Sequence, residues 1–548
     1  RQLKHIKEPI LQLKWKLALM GLLTVIVSFA ALAPPYFSKL IFDKGVRAND
    51  VGKIIYFGSL TVVFYLTATV LRIGSQVLYA RTSNRFVVKV KERALGRLIS
   101  SPIKFFDKKK SGYWTKRMNE VGSLTQIFSP TVFKFISSLI QFGGAVGVMF
   151  VLSRQITYIM LIFLPLFYFV TKTMSEKLRS ISRKLMETSA ETRGNLQETI
   201  SGAPEIKKAT AGRRKSKELA KQFSAVAKQR VRQSVTSGIG TQTLGLLNKT
   251  AGVIVLVLSG VYIARGQLTM GDYVALASYS GKLFVPMQLF GSLALTFQPV
   301  MVALKRLAEI FEESSEQELW GDKRVSKLEG KLKLNSLNFS YDESDGQVLR
   351  NCNLSIDAGD CVALLGKNGA GKSTLVKLFL GFYPDYSGEI LLDGLELHEY
   401  DIDSLRKRVG IVSQEVLLFS GTLEENVRLA NPEASKESLK QALLRSGFNE
   451  VFSQDISNNT ISESGRDLSG GQKQVIAIAR CLLKDPDILI FDEATTHLDE
   501  NARKIVVKAF KNKFSGSTRI LITQDKELSE IAERTVLLEN GELHEKTN

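Results

Sequence analysis

The sequence predicts a multi-domain chain: a six-helix transmembrane domain with long cytoplasmic helical extensions, followed by an α/β domain built around a phosphate-binding loop. Three observations predict it. Apolar stretches of bilayer-spanning length recur six times before residue 300. Charge divides the chain, with 45 Lys+Arg against 18 Asp+Glu in residues 1–320 and 29 against 36 in the remainder. Finally, Gly366-Lys367-Asn368-Gly369-Ala370-Gly371-Lys372-Ser373 fits G-x-x-x-x-G-K-[ST]. The net charge of +20 and mean hydropathy of +0.02 average over these unlike halves and describe neither.

The apolar stretches run near 17–42, 54–80, 131–152, 156–175, 244–264 and 273–300. A helix crossing hydrocarbon needs roughly 17–25 such residues. Basic residues assign the sides. Segments 81–117 and 171–232 hold 12 and 16 Lys+Arg, whereas the alternate loops 43–53, 152–156 and 264–272 hold 3, 1 and 1. The expectation is a multi-pass protein of a bacterial cytoplasmic membrane, with both termini and the acidic second half in the cytoplasm. An organelle membrane is the alternative. Residues 1–16 alternate basic and apolar positions, with Trp15 beside the first span, as suits an interfacial elbow helix on the inner leaflet. The first span is too long for a cleavable signal peptide and lacks a small-residue cleavage site. The transmembrane domain is set at 17–311, the polar run 312–330 reads as a linker, and 331–548 forms the second domain.

A strongly basic chain invites a nucleic-acid reading. Here the basic residues lie beside spans, where topology and anionic headgroups account for them, so nucleic acid is excluded as a partner and membrane lipid is expected. The 3 Cys (Cys352, Cys361, Cys481) fall in the second half with no C-x-x-C, and read as reduced thiols rather than a metal site. Ionisable residues inside spans are costly and usually face a cavity. Arg72, Lys249 and Lys282 are the candidates, and their sign permits an anionic substrate. Snorkelling of Lys249 and Lys282 to an interface is the competing reading. Pro34, Pro35, Pro165, Pro286 and Pro299 would kink or loosen their helices.

The phosphate loop has the setting it requires. Cys361–Leu365 before it is short, apolar and strand-like, and Thr374–Leu380 after it is helix-compatible. Gly366, Gly369 and Gly371 let backbone N–H groups turn inward on phosphate oxygens, beside a helix N-terminus. Lys372 would reach the β- and γ-phosphates and Ser373 would hold Mg²⁺. Lys367, Asn368, Ala370 and Thr374 complete the nucleotide-binding set. The run Ile488–Phe491 ends in Asp492 and Glu493. Asp492 suits the Mg²⁺ shell and Glu493 suits a base for the attacking water. Between these two motifs lies Leu468-Ser469-Gly470-Gly471-Gln472, followed by a helix-like stretch, a second anion-binding arrangement.

In this order and spacing the three motifs resemble the nucleotide-binding domain of ATP-binding cassette (ABC) proteins, over about residues 328 to 548. The resemblance implies ATP and Mg²⁺ as cofactors and further roles. Tyr341 looks like the aromatic residue that stacks on adenine. Gln414 looks like the glutamine that senses Mg²⁺ and couples to the membrane domain. Glu463 looks like the acid touching the partner's coupling loops. Leu468–Gln472 looks like the signature that contacts the partner's ATP, and Asp499 like the loop residue linking two sites across a dimer. Two positions depart from the pattern. Gln524 stands where a histidine usually contacts the γ-phosphate, and glutamine cannot carry a proton or a charge, so hydrolysis is the step in doubt. His497 stands where a small residue is usual.

The membrane half resembles exporter-type ABC membrane domains, whose cytoplasmic extensions end in coupling helices. By that resemblance Phe105 to Glu120 would hold the first and Glu198 to Phe223 the second. One chain has one phosphate loop, one signature and six spans. The resemblance therefore implies a half-transporter working with a second, the homodimer being favoured over a heterodimer. The implied function is ATP-driven export by alternating access. An importer on the same fold and an ATP-gated regulatory half are the alternatives. Lipid, peptide and amphipathic drug are the substrate classes left open.

Overall fold

The computed structural model describes residues 4–107, 111–342, 346–452, 460–496 and 498–546. They form two compact units, one of residues 1–96 with 112–312 and one of residues 97–111 with 313–548.

The first unit is helical. Among the described residues, five helical segments are long and apolar enough to cross a membrane: Lys14–Val46, Val51–Ile99, Gly112–Leu152, Arg154–Ser201 and Gly212–Ala264. Their outer faces leave Phe29, Tyr65, Val151, Ile162 and Phe169 exposed, as lipid contact requires. The sixth expected span differs from one continuous rod. It comprises two helices, Met270–Leu283 and Val285–Phe311, that meet at Phe284. Pro286 explains the break, because without an N–H it cannot bond back to the carbonyl four residues earlier, at Lys282, and it is tolerated in the first turn of the new helix. A short helix, Lys4–Leu11, precedes the helix that begins at Lys14, so the turn between them falls inside the expected elbow segment 1–16.

Helices Arg154–Ser201 and Gly212–Ala264 have 48 and 53 residues. At about 1.5 Å per residue they reach roughly 70–80 Å, more than twice the ~30 Å hydrocarbon core. Their polar halves therefore run outside lipid, joined by the short helix Ala203–Lys208. The apolar halves pack against the remaining helices, with Phe167 stacked on Phe284 at 4.0 Å, and Met270–Leu283 is tied to the first span by the Tyr279 hydroxyl donating to the Leu32 carbonyl at 2.6 Å. A charged cluster is half-buried in this unit: Lys39 pairs with Asp43 at 2.8 Å and Asp272 at 2.7 Å. Gly271 permits this approach, since a Cβ there would lie 2.5 Å from both Asp43 Oδ1 and the Lys39 carbonyl.

The second unit is α/β. Its strands are β1 Leu332–Phe339, β2 Leu349–Ile356, β3 Cys361–Leu365, β4 Ser387–Leu392, β5 Leu395–Glu396, β6 Val409–Ser413, β7 Gly421–Thr422, β8 Thr460–Ile461, β9 Ile488–Asp492, β10 Thr518–Thr523, β11 Arg534–Glu539 and β12 Glu542–Lys546. They form an antiparallel sheet β2-β1-β4-β5, a six-stranded sheet β12-β11-β3-β10-β9-β6 and the small ribbon β7-β8. β3 and the four residues before Asp492 in β9 are fully buried, as continuous apolar runs in a parallel sheet must be.

The run 312–330 is strapped to this unit instead of hanging free. Trp320 is 8% exposed and stacks on His398, the Gly321 N–H donates to the His398 carbonyl at 2.7 Å, and Arg406 grips Glu316 at 2.7 and 2.8 Å. Residues 97–107 pack here too. Lys104 pairs with Asp385 at 2.6 Å, and the Tyr383 hydroxyl donates to Asp107.

Asp487 ties strap and sheet together. It accepts from Arg408 at 2.6 and 2.7 Å and from the Leu328 N–H at 2.7 Å. Burial alone would raise this carboxyl, but the guanidinium and the N–H outweigh it and hold it below its ordinary value of 3.8. A carboxylate held low stabilises the fold fully above the unfolded value and ceases to do so as pH falls through the folded one. Asp487→Asn should therefore cost about 2 kcal/mol at neutral pH and melt earlier than the parent. The difference should shrink below pH 3.8, as followed by thermal melts across pH.

Candidate functional site

Register builds the site. In the parallel sheet Leu365 pairs with Thr523, Ile522 with Asp492, and Asp492 with Ser413. The carboxyl ends of β3, β10, β9 and β6 are thus level. Gly366, Gln524, Glu493 and Gln414, each the next residue, emerge along one edge, where open α/β sheets bind ligands.

The phosphate loop turns from β3 into the helix Lys372–Phe379. Gly371 takes φ +108 immediately before that helix, a conformation side chains disfavour, and a Cβ there would also lie 2.9 Å from Leu349. Lys372 is 5% exposed. Its Nζ donates to the carbonyls of Gly366 at 2.7 Å and Lys367 at 3.1 Å, and lies 3.2 Å from Glu493 Oε1. Ser373 is exposed on the first turn, while Thr374 is buried with its hydroxyl 3.0 Å from that of Tyr341. Thr374 therefore faces the protein and not the open side of the loop. The Tyr341 ring meets Phe339 and Tyr383 edge-on at 5.1 and 5.2 Å, with Lys377 5.3 Å from its centroid.

Glu493 has φ +50, unusual for a residue with a Cβ, and its N–H donates to the Ile522 carbonyl at 2.9 Å. Such strain clusters at working sites. The Gln524 side-chain N–H₂ donates to Glu493 Oε1 at 2.8 Å and to Asn368 Oδ1 at 2.5 Å. One carboxylate oxygen thus faces an ammonium and an amide, and Gln524 bridges it to the phosphate loop. Asp492 beside it is raised, first by burial and then by the Glu493 charge, with Lys372 opposing. Asn368, Gln414, Glu493, Thr523 and Gln524 line a cleft of about 600 Å³.

Leu468–Gln472 is not in the wall of that cleft. Ser469 caps the helix Gly470–Lys484 in a reciprocal box with Gln472, its hydroxyl accepting from the Gln472 N–H at 3.3 Å and its own N–H donating to Gln472 Oε1 at 2.9 Å. Asp499 caps the helix Glu500–Lys513, accepting from the Ala502 N–H at 2.8 Å. His497 and the Glu463 side chain lie outside the described residues.

Two residues were missed in the sequence. Buried Gln474, on the helix after Ser469, donates to the carbonyls of Ser413 at 2.9 Å and Gln414 at 3.2 Å. It thereby ties the segment holding Gln414 to the signature helix. Its signal was a polar residue at the head of the apolar run Val475–Ala479. Arg480 reaches the Leu417 and Asn426 carbonyls at 2.9 and 2.7 Å. Nothing in a single sequence distinguishes it from a surface arginine.

Residues 17–287 match the ABC transporter transmembrane region, and residues 349–496 match the ABC transporter family. The chain belongs to the ABC transporter family. Similar proteins include the leukotoxin translocation ATP-binding protein LktB of Mannheimia glucosida, 28% identical over 96% of this chain and 74% of its own length. The alpha-hemolysin translocation ATP-binding protein HlyB of Escherichia coli O157:H7 is 27% identical over 97% of this chain and 76% of its own length. The ATP-dependent lipid A-core flippase of Chromobacterium violaceum is 28% identical over 97% and 91%. A bacterial Atm1-family ABC exporter with ATP bound shares the fold, with TM-score 0.83 at 22% identity over 97% of this chain and 95% of that one. This ABC transporter is an integral membrane ATPase whose hydrolysis drives export. As a half-transporter it works in a dimer.

Proposed function

We propose that two copies of this chain form a homodimeric exporter of the bacterial cytoplasmic membrane, with the nucleotide-binding units in the cytoplasm. ATP would lie between the phosphate loop of one copy and the Ser469-Gly470-Gly471 helix N-terminus of the other. The observation that carries this reading is Glu493, an intact base held at the strand edge beside Lys372. Lys372 stabilises charge on the β- and γ-phosphates and Glu493 orients and polarises the water. Tyr341 stacks on the base. Ser373, Asp492 and Gln414 are oxygen donors of the type Mg²⁺ selects and would hold it, where it neutralises phosphate charge. Closing the dimer moves the coupling helices expected within Phe105 to Glu120 and Glu198 to Phe223, which act on the membrane bundle. Inside-out vesicles test direction: ATP-dependent accumulation in the lumen means export, and ATP-dependent loss from loaded vesicles means import.

Gln524 favours one second reading, a slow half that needs an unlike partner. The homodimer reading expects the chain alone to hydrolyse ATP. The amide cannot titrate, so turnover should stay flat through pH 6–8, where an unperturbed histidine changes charge near ~6.5. Gln524→His should raise turnover several-fold, by about 3- to 10-fold, and add an inflection in that range. Activity absent in both forms, with ATP still bound, would favour the unlike partner.

A further inference from the structure

A cavity of about 310 Å³ lies within the membrane unit. Its wall brings together Arg72 of Val51–Ile99, Lys134 of Pro130–Leu152 and Lys282 of Met270–Leu283. Three cations thus converge from three helices that the sequence separates by up to 210 positions. Lys249, the other cation the sequence singled out, is not in the wall. Among the described residues no Asp or Glu lines the cavity. Among the described residues none of the three cations has a carboxylate within 4.0 Å, although Arg72 and Lys282 lie close enough for their charges to act on each other.

A charge inside a span is costly unless something meets it, and snorkelling sends long side chains outward one at a time. Here Lys282 rests on a polar floor. Lys282 Nζ donates to Gln141 Oε1 at 3.2 Å, Gln141 Nε2 donates to Ser137 at 3.0 Å, and Ser137 and Ser28 hydroxyls lie 2.7 Å apart. This chain of bonds holds Lys282 toward the cavity. The wall also carries apolar side chains, Val27, Phe133, Val285 and Leu289, with Phe133 stacked on Tyr79 at 4.1 Å.

We propose that this cavity binds the headgroup of an amphipathic anion, a phosphate or carboxylate carried on an apolar body. The anion supplies the charge the wall lacks. Arg72 offers a planar fork suited to oxyanions and the two lysines offer point charges. The apolar residues of the wall take the first part of the body. The volume admits a headgroup and not a large peptide. The assignment of this anion as transported cargo rests on the export reading; its binding does not.

Equilibrium binding tests it without nucleotide. The full-length chain is placed in phosphatidylcholine nanodiscs and titrated with radiolabelled dodecyl phosphate, with dodecylphosphocholine as the neutral-headgroup control. The phosphate should bind at least about tenfold more tightly than the control, and loss of each charge-assisted contact should weaken it by about tenfold. Arg72→Gln, Lys134→Gln and Lys282→Gln should each do so, while Lys282→Arg keeps the affinity and guards against a folding artefact. All four variants should retain basal ATP hydrolysis, because none of the three residues belongs to the nucleotide site. Competition by phosphatidylglycerol in the disc would place the source in the leaflet, and competition only by soluble alkyl phosphates would place it in water. Equal affinity for phosphate and phosphocholine heads, or unchanged phosphate affinity in the three charge-removing variants, would overturn the proposal. Absence of transport with intact binding would instead overturn the export reading alone.

Discussion

Glu493→Gln should bind ATP as the parent does and hydrolyse it at least about 100-fold more slowly, the range over which a positioned base acts. The substitution keeps size and leaves hydrogen-bonding capacity at a position that holds Lys372 at 3.2 Å and Gln524 at 2.8 Å. It removes only the charge and the proton-accepting oxygen. The phosphate loop, whose internal bonds run from Lys372 to the Gly366 and Lys367 carbonyls, is untouched. Steady-state phosphate release and equilibrium nucleotide binding, measured on the same preparation, check both halves. Loss of binding along with turnover would mean that Glu493 is structural.

Lys372→Met should have the reverse signature, with nucleotide affinity reduced by about 100-fold and hydrolysis lost as a consequence. Two or more hydrogen bonds from an ammonium to phosphate oxygens disappear together, each worth roughly 1.5–3 kcal/mol when one group is charged. In the free protein the ammonium is buried and satisfied by two carbonyls and Glu493. Those three acceptors are left facing one another without a cation, so the variant should also melt earlier. Fluorescent-nucleotide titration and a thermal melt read the two effects separately. Unchanged affinity would show that the backbone of the loop holds ATP without help from the side chain.

These two residues were legible in the sequence because their motifs dictate both residue type and local structure. Glycines at 366, 369 and 371 specify a loop, and the flanking apolar runs specify a strand and a helix. What the sequence did not disclose is pairing over long separation. The level strand ends follow from the order β3-β10-β9-β6, which no local pattern encodes. The bond from Gln524 to Asn368 spans 156 positions. The sequence marked Gln524 as a departure; its geometry shows the amide taking up Glu493 and the phosphate loop together. Spans were legible from hydropathy over about twenty residues. The break at Phe284 sits inside an apolar stretch where hydropathy is silent and Pro286 is the signal. The strap 312–330 was polar enough to read as a linker, and only the seating of Trp320 on His398 reveals that it is fixed.

The central claim is that ATP joins two copies, the phosphate loop of each meeting Ser469-Gly470-Gly471 of the other. A single nitroxide at Arg466→Cys tests it most directly in the Glu493→Gln background. Arg466 is exposed and close in sequence to Ser469. The native thiols are buried and raised by that burial, Cys481 up to about 11, so they should resist labelling. With one label per chain, any dipolar distance must come from two copies. The account predicts an inter-copy distance that shortens and narrows when ATP is added to the protein in nanodiscs, and stays long without nucleotide. A distance that ATP leaves unchanged, or no dipolar signal at all while ATP is bound, would contradict it.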